Sequence, residues 1–371
     1  MPKRLSVLFG TRPEAIKLCP LVLELRKSSA LQTEVCSTGQ HRQMLDQVLG
    51  LFGVQPDVEL NLMTSGQSLA GFTARALEQV DAYLERSKPD LVILQGDTST
   101  VLAASLACFY RKIPTAHVEA GLRSFDLHHP FPEELNRLMA TRVASLHFAP
   151  TTTARENLLR EGVSPSNVFV TGNTVIDALH FVRQQNQSQP PHIPEIPSLP
   201  AQYLLVTGHR RENFGQGMVD LCTALLKLAE QNPDLHLLYP VHLNPNVQEP
   251  VRKLLSGQPR IHLLPPVDYT ALVYLLEGCQ FVLTDSGGIQ EEAPAFGKPV
   301  LVMREKTERP EGVEAGTARL VGTSPERIVG EATRLLTDSE HYRSMATAHN
   351  PFGDGTACRQ IRQHLEVWAN A

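Results

Sequence analysis

Several carboxylates that could transfer protons lie close together in the first half of the sequence. Glu119 stands directly after residues 113–118, a short apolar run that predicts a buried strand. Ligands of open α/β sheets lie at the carboxyl ends of strands, so this carboxylate is a candidate site residue. Glu133 and Glu134 follow a Pro-Phe-Pro sequence and open a predicted helix, where negative charge is favourable. Helix capping is therefore an alternative to catalysis for one of these two glutamates.

A second chemical signal is a glycine-rich turn between a strand and a helix. Residues 281–284 predict the strand, Asp285-Ser286-Gly287-Gly288 the turn and residues 289–296 the helix. Glycine lets a ligand approach the backbone, and a helix N-terminus attracts phosphate. Glu291 and Glu292 follow in the helix, where one of them could accept hydrogen bonds from ribose hydroxyls. The alternative is an ordinary strand–turn–helix unit, because short glycine motifs give many false matches.

Basic side chains follow other predicted strands. Arg12 and Lys17 lie on and just after the loop behind the first strand, and His209 shares its loop with two arginines. Arg309 lies in a further loop near a proline. Because the formal net charge is −5, any bound anion must be held by local clusters of this kind. For Arg12 and Lys17 the alternative is a capped helix with solvated cations.

The predicted elements alternate between apolar strands and helices. The pattern contains about six strands before a proline- and glutamine-rich stretch and about five after it. This order predicts an α/β fold with two doubly wound, Rossmann-like domains and the ligand in the cleft between them. The stretch itself, residues 184–200, is predicted to be a linker or an extended surface loop.

Composition excludes several classes of function. The chain has 371 residues, of which 42% are apolar and 20% charged, as expected for a two-domain globular protein. The negative charge gives no support for a nucleic-acid partner, and no apolar stretch approaches the length of a membrane span. The six cysteines form no CxxC pair, so no disulfide framework or zinc site is implied. A reducing cytoplasm is the expected location.

The motifs, taken together and in order, resemble a known family. They are Gly10-Thr11-Arg12-Pro13-Glu14-Ala15-Ile16-Lys17, Gln40-His41-Arg42-Gln43-Met44-Leu45-Asp46, Gly96-Asp97-Thr98, His117-Val118-Glu119-Ala120-Gly121-Leu122-Arg123, Pro132-Glu133-Glu134 with Asn136-Arg137, Thr171-Gly172-Asn173-Thr174, Gly208-His209-Arg210-Arg211-Glu212-Asn213, Thr284-Asp285-Ser286-Gly287-Gly288 with Gln290-Glu291-Glu292, and Thr307-Glu308-Arg309-Pro310. From about residue 5 to residue 358, the chain resembles the non-hydrolysing UDP-N-acetylglucosamine 2-epimerases of bacteria.

The resemblance implies a fold and a reaction. The expected fold is similar to the GT-B glycosyltransferases, with domains of residues 1–170 and 171–354 and a last helix, about residues 355–371, that rejoins the first domain. The expected reaction interconverts UDP-N-acetylglucosamine (UDP-GlcNAc) and UDP-N-acetylmannosamine (UDP-ManNAc) without a cofactor or metal. UDP is eliminated to give 2-acetamidoglucal and then added back, which supplies ManNAc-type sugars for surface polysaccharide. A homodimer, and activation by a second UDP-GlcNAc, are also implied.

The resemblance assigns roles to residues of this sequence. The candidates for proton transfer are Asp97, Glu119 and Glu133, and His209 is the candidate for assisting UDP departure. The expected substrate-binding residues are Arg12, Lys17, Arg137, Leu272, Ser286, Gly287, Gly288, Glu292 and Arg309. The expected activator-site residues are Gln40, Gln43, Arg211 and His242.

Three positions depart from the family pattern. Gly39 stands where alanine is usual, and His128-His129 stand where Tyr-Ser is more frequent. Both lie near the expected activator site or hinge, so they bear on activation more than on catalysis. Leu272 occupies a position that often carries phenylalanine beside the uracil.

Other functions remain as alternatives at this point. A glycosyltransferase of the same architecture would share the nucleotide site but needs an acceptor groove, for which no segment is evident. A hydrolysing epimerase that releases free ManNAc is a nearer relative, and a silent nucleotide-sugar sensor would not need Asp97, Glu119, Glu133 and His209 together. A nicotinamide dehydrogenase is disfavoured, because no G-x-G-x-x-G follows the first strand.

Overall fold

Two all-parallel sheets dominate the structure, a computed structural model that describes residues 1–39, 42–64, 66–196 and 198–371. The contacts divide the chain into two compact units, residues 1–180 with 352–371 and residues 181–351. The predicted boundary after residue 170 stays a prediction about domain organisation. No helix in the described part of the chain is long and apolar enough to cross a bilayer.

The first unit contains a sheet of seven strands within the described residues. The strands are β1 (Lys3–Phe9), β2 (Leu31–Ser37), β3 (Val58–Glu59), β4 (Leu91–Gln95), β5 (Thr115–Val118), β6 (Leu146–Ala149) and β7 (Val168–Val170), in the order β3-β2-β1-β4-β5-β6-β7. The helices are α1 (Arg12–Leu25), α2 (Arg42–Phe52), α3 (Leu69–Ser87), α4 (Ser99–Tyr110), α5 (Glu133–Val143), α6 (Thr152–Arg160) and the first part of α7 (Thr174–Ser188). Strands β4, β5 and β6 are buried along their whole length, as expected when helices cover both faces of a parallel sheet.

The second unit repeats this layout with six strands among its described residues. The strands are β8 (Tyr203–Thr207), β9 (His236–Pro240), β10 (Ile261–Leu264), β11 (Val282–Thr284), β12 (Val300–Val302) and β13 (Ala318–Leu320), in the order β10-β9-β8-β11-β12-β13. The helices are α8 (Gln216–Gln231), α9 (Pro245–Leu255), α10 (Tyr269–Gly278), α11 (Gly287–Glu292), α12 (Pro310–Glu314), α13 (Pro325–Thr337) and α14 (Ser339–Ala346).

The last helix, α15 (Ala357–Asn370), belongs to the first unit. It packs against α1, where Arg362 Nε lies 3.1 Å from Glu24 Oε1. Its N-terminus meets α7, because the Asp177 carboxylate accepts the N–H groups of Ala357 at 3.2 Å and Cys358 at 3.0 Å. A half-buried carboxylate on one helix thereby anchors the start of another.

The structure confirms the predicted fold class and corrects its details. The two sheets hold seven and six described strands, one more each than predicted, because β3 has two residues and β13 has three. Such short edge strands leave almost no periodic signal. The predicted linker begins too early, since α7 continues through Ser188. Ile176, Leu179 and Val182 are fully buried on one face of that helix, so burial sustains it despite the polar residues that follow.

Both sheets reverse their strand order at a comparable place. In the first unit, β1 and β4 are neighbours, and the chain leaves them in opposite directions along the sheet. In the second unit, β8 and β11 form the corresponding pair. Such switch points open a crevice at the carboxyl ends of the strands, where ligands of α/β sheets bind. The candidate residues of each unit therefore have a common place to meet.

Candidate active site

Two loops meet at the switch point of the first unit, and Glu14 joins them. Its Oε2 accepts the N–H groups of Gly10 at 3.0 Å and Thr11 at 2.7 Å, at the start of α1. Thr98 Oγ1, at the start of α4, donates to Glu14 Oε1 at 2.7 Å. Burial raises the pKa of Glu14, against these hydrogen bonds, which lower it. Glu14 thus fixes the loop that carries Arg12, which is itself exposed at the first position of α1.

Glu119 lies directly after β5 and is held by three side chains from other elements. Lys17 Nζ on α1 lies 2.6 and 2.7 Å from its two carboxylate oxygens. Asn173 Nδ2 donates to Oε1 at 3.1 Å, and Gln95 Nε2, at the end of β4, donates to Oε2. The backbone of Glu119 has a φ of +62°, which glutamate rarely adopts. An uncommon backbone held by many partners is typical of functional sites.

A second ion-pair cluster surrounds Asp97. Arg137 on α5 donates from Nη2 to Asp97 Oδ2 at 2.5 Å, and its Nη1 lies 3.1 Å from Glu134 Oε2. Asn136 Nδ2 donates to the Asp97 carbonyl at 2.8 Å. Glu134 also accepts the N–H groups of Ser124 and Phe125, at 3.1 and 3.2 Å. Buried Glu134 therefore braces a loop, whereas half-buried Glu133 lies at the first position of α5.

Buried His117 forms a hydrogen bond with the Gly96-Asp97 turn. Its Nε2 lies 2.7 Å from the Gly96 carbonyl oxygen, and burial lowers its pKa to about 4. The neutral ring then donates this hydrogen bond at neutral pH. Gly96 has a φ of +77°, and a Cβ at this position would lie 3.8 Å from Glu119 Oε2. The turn therefore brings the backbone of Gly96 next to the Glu119 carboxylate.

In the second unit, Asp285 organises the switch point. This residue follows β11 and has 0% of its surface exposed. It accepts the N–H groups of His209 at 2.9 Å and Arg210 at 2.8 Å, together with Asn213 Nδ2 at 3.1 Å. A buried carboxylate needs such donors. Asp285 thereby ties the loop after β8 to the loop after β11.

His209 lies between a carboxylate and a second imidazole. Its Nδ1 is 3.5 Å from Asp285 Oδ1, and its ring stacks on that of His242 with centroids 5.5 Å apart. Burial lowers the pKa of His209. The charge of Asp285 raises this pKa, whereas the charges of His242 and Arg210 lower it. His242 and Arg211 are exposed, whereas Gln40 and the side chain of Gln43 lie outside the described residues.

Two arginines lie beside the glycine-rich turn. A Cβ on Gly287 would be 3.8 Å from Arg210 Nη2 and 4.0 Å from Arg309 Nη2. Arg309 also donates from Nε to Glu291 Oε1, and Arg210 Nη2 lies 3.7 Å from Glu308. Ser286 is half-buried at the N-cap position of α11, and Gly288 is exposed. Backbone N–H groups and two guanidinium groups are the donors that a diphosphate requires.

Glu292, at the end of α11, faces α10. Tyr269 at the first position of α10 donates its hydroxyl to Glu292 Oε1 at 3.0 Å. Leu272, one turn further along α10, is half-buried. Glu291 is therefore paired with the Arg309 cation, whereas Glu292 accepts a hydrogen bond from a neutral hydroxyl. The two glutamates, either of which could accept hydrogen bonds from ribose by sequence, thus have different surroundings.

The structure groups the predicted residues within each unit. Lys17 meets Glu119 and Arg137 meets Asp97 in the first unit, and Arg309 lies beside Gly287 in the second. Sequence reasoning missed residues that hold these side chains in place. They are Gln95, Asn173, Asn213, Tyr269 and Asp285. Four of them carry a visible signal, since Gln95 ends an apolar strand and Asn173, Asn213 and Asp285 lie in motifs of the family resemblance, and polar residues at strand ends are site candidates.

Two Rossmann-like units define the class of the protein as an α/β protein of the GT-B-like architecture. Each has polar side chains at its switch point, carboxylates in the first and arginines beside a glycine-rich turn in the second. Comparison with known proteins then narrows this class to a family.

The family model for UDP-N-acetylglucosamine 2-epimerase matches residues 23–366. The UDP-N-acetylglucosamine 2-epimerases of Escherichia coli K12 and Yersinia pestis are each 52% identical to this chain, over 98% of both sequences. The structure of UDP-GlcNAc 2-epimerase from Neisseria meningitidis bound to UDP-GlcNAc superposes with a TM-score of 0.87 at 45% identity, covering 98% of this chain and 99% of that one. A Staphylococcus aureus protein solved with UDP gives a TM-score of 0.90 at 42% identity, covering 99% and 97%.

The chain belongs to the UDP-N-acetylglucosamine 2-epimerase family. This result confirms the resemblance that the motifs carry in the sequence.

Proposed function

We propose that the protein is a UDP-GlcNAc 2-epimerase that interconverts UDP-GlcNAc and UDP-ManNAc. The observation that carries this proposal is the pair of carboxylates at one switch point, Glu119 with Lys17 and Asp97 with Arg137. Family membership supports the substrate, because a relative has been solved with UDP-GlcNAc bound. Inversion at one carbon requires proton transfer on both faces, which favours more than one carboxylate.

The proposed reaction passes through elimination and re-addition. A carboxylate accepts the C2 proton, the C2–H electrons form the C1=C2 bond, and the C1–O electrons leave with UDP. The products of this step are 2-acetamidoglucal and UDP. UDP oxygen then attacks C1 while a proton is delivered to C2 from the other face. The elimination and the re-addition are both redox-neutral, so the reaction requires no redox cofactor. The proposal includes no metal.

We assign the proton transfers to Asp97, Glu119 and Glu133, without assigning faces. The charges of Lys17 and Arg137 stabilise the partner carboxylates, and in this crevice they would also attract the departing diphosphate. His209 is proposed to assist UDP departure. Its position between Asp285 and His242 makes its protonation sensitive to both neighbours.

The second unit is proposed to hold the nucleotide. Ser286, Gly287 and Gly288 would bind the diphosphate with Arg309, because this turn combines N–H donors with guanidinium groups. Glu292 would bind the ribose, and Leu272 would contact the uracil. Exposed Arg12 stands in the first unit at a fixed loop, which supports a role in binding an anion from solvent.

The test of this function is proton NMR of UDP-GlcNAc incubated with the protein in D2O. We expect UDP-ManNAc to accumulate with deuterium at C2. Free ManNAc and UDP as the only products would instead identify a hydrolysing enzyme. Unchanged UDP-GlcNAc, at activating concentrations as well, would favour a transferase or a sensor.

Substitution of the carboxylates tests the proposed chemistry separately from binding. Asp97→Asn and Glu119→Gln are each expected to abolish epimerisation, because an amide cannot accept the proton. UDP affinity measured by calorimetry is expected to remain largely intact. Full activity in either variant would remove that residue from proton transfer.

An exposed apolar face supports the proposal of a homodimer. Phe131, Leu135 and Met139 are spaced by four residues along α5 and the residues before it, with exposures of 65%, 45% and 39%. Phe109 and Tyr110 are exposed at the end of α4, which packs against α5. Exposed apolar residues grouped in this way mark interaction surfaces.

The remaining proposed roles concern activation, cellular location and the use of the product. Activation by a second UDP-GlcNAc would involve His242 and Arg211, and the stacking of His242 on His209 would link that site to the reaction. A cytoplasmic location is supported by the six cysteines, all of which are buried and free. The product is proposed to supply ManNAc-type sugars for surface polysaccharide.

A further inference from the structure

We propose that Tyr269 is a positioning residue that orients Glu292 and thereby sets the recognition of ribose hydroxyls on a uridine nucleotide. The inference rests on the proposed function, in which Glu292 binds the ribose. It adds a residue outside the motifs of the sequence and a specific part of the ligand that this residue controls.

The contact itself is a single directed hydrogen bond. The Tyr269 hydroxyl donates to Glu292 Oε1 at 3.0 Å, within the range of a good hydrogen bond. Glu292 is buried, whereas the ring of Tyr269 is half-buried. Burial and the neighbouring carboxylate raise the pKa of the Tyr269 hydroxyl, so it keeps its proton at neutral pH. Tyr269 is therefore a permanent donor to this carboxylate.

Local structure fixes both ends of the contact. Asp268 caps α10, because its Oδ1 accepts the Ala271 N–H at 2.8 Å, and this places Tyr269 at the first helical position. Leu272, the proposed uracil contact, lies one turn further along the same helix. Glu292 ends α11 and continues into a 3-10 helix, Ala293–Phe296, that packs against α10. The Tyr269 hydroxyl therefore links α10, which carries the proposed uracil contact, to Glu292, the carboxylate proposed to bind the ribose.

The chemistry explains why one hydroxyl can control recognition. A carboxylate has about four acceptor sites, and a donor to one oxygen restricts the rotation that orients the others. Ribose offers two neighbouring hydroxyl donors, so an oriented carboxylate can accept from both. Without Tyr269 the carboxylate would lose one of the donors that orient it, and more of its ordering would have to occur on binding, which costs affinity. The loss of affinity would come from weaker binding of the ribose hydroxyls, and binding of the diphosphate would be unchanged.

The test compares nucleotides with and without those hydroxyls. We would measure binding of UDP and 2′,3′-dideoxy-UDP to the parent protein and to Tyr269→Phe by calorimetry. The parent is expected to prefer UDP by about 10-fold or more, and the variant by only a few-fold, as the loss of a hydrogen bond predicts. Affinity for dideoxy-UDP should be unchanged. In turnover, KM for UDP-GlcNAc should rise while kcat changes little.

Three further variants separate positioning from a structural role. Tyr342→Phe removes a comparable half-buried hydroxyl, bonded to the Gln280 carbonyl at 2.9 Å, and should keep the parent's preference for UDP. Glu292→Gln should lose the preference, and adding Tyr269→Phe to it should then have no further effect, since coupled residues are not additive.

Equal preference for UDP in Tyr269→Phe and the parent would overturn the inference. So would a parent protein that binds both nucleotides equally, because Glu292 would then not bind the ribose, although C2 deuteration could still support the proposed function. Absence of both UDP binding and C2 deuteration in the parent would overturn the proposed function and the inference together.

Discussion

Glu119 combines a strained backbone with a crowded carboxylate. Its φ of +62° costs free energy that the surrounding contacts must offset, and Lys17, Gln95 and Asn173 supply those contacts from three separate elements. A side chain that only capped a strand would need none of them. The arrangement is what a carboxylate needs when its position must be held closely through a reaction.

Replacing Gln95 by leucine tests this positioning. The substitution keeps the size of the side chain but removes one donor to Glu119. We expect kcat to fall about 10-fold or more with little change in KM, because a misplaced base affects the chemical step more than binding. The rate of deuterium incorporation at C2 measures the effect.

Thr115→Val provides the matched control for Gln95→Leu. Thr115 is also buried on a neighbouring strand, and its hydroxyl has no hydrogen-bond partner among the described residues. This variant should keep the parent's kcat. If Gln95→Leu did the same, Gln95 would be only a packing residue.

At the scale of elements, β5 and β6 carry a buried pair of histidines. His117 and His147 are partners in the parallel register, and burial lowers the pKa of each to about 4. The Nδ1 atoms of both rings are buried without a partner in the described structure. Either ring would therefore be destabilising if it became charged inside the sheet.

This pair predicts acid sensitivity of the fold. In the folded protein the pKa values of His117 and His147 lie below the ordinary histidine value of 6.5. Their contribution to the free energy of unfolding is therefore fully present above pH 6.5 and is lost as the pH falls toward 4. Each group can contribute at most about 3 kcal/mol, and the two are not additive because they are neighbours. Denaturant unfolding between pH 7 and pH 4 measures the loss.

His147→Gln should reduce this pH dependence, since glutamine does not titrate. Exposed His349→Gln is the matched control and should follow the parent curve. Comparing variants at each pH cancels other titrations, including that of Asp177, whose pKa burial raises to about 6 and whose effect has the opposite sign. Identical curves for His147→Gln and the parent would show that the histidine pair does not control acid stability.

At the scale of the whole molecule, the exposed apolar face of α5 predicts assembly. Leu135→Asp with Met139→Asp places two charges on the proposed interface and should convert a homodimer into a monomer, because unpaired charges are costly in an apolar contact. Light scattering after size exclusion measures the mass. Val367→Asp changes another exposed apolar residue, on α15, and should leave the dimer intact.

A monomeric parent protein would contradict the proposed dimer. A double variant that stayed dimeric would instead place the interface elsewhere on the molecule.

The sequence by itself determined the alternation of strands and helices, the two-unit α/β fold and the family. Apolar strands, polar loops and ordered motifs are local features, so their spacing survives in one dimension. Glu119 was found this way, as was the glycine-rich turn with Ser286, because each lies at the end of an apolar run.

The tertiary structure alone decided which side chains hold these residues in place. Gln95 and Asn173 reach Glu119 from 24 and 54 residues away, and Asp285 reaches His209 from 76. Parallel strands join residues that are distant in sequence, and no periodicity encodes which loops become neighbours at a switch point. Likewise, only the tertiary structure shows that Glu291 contacts Arg309 and that Glu292 contacts Tyr269.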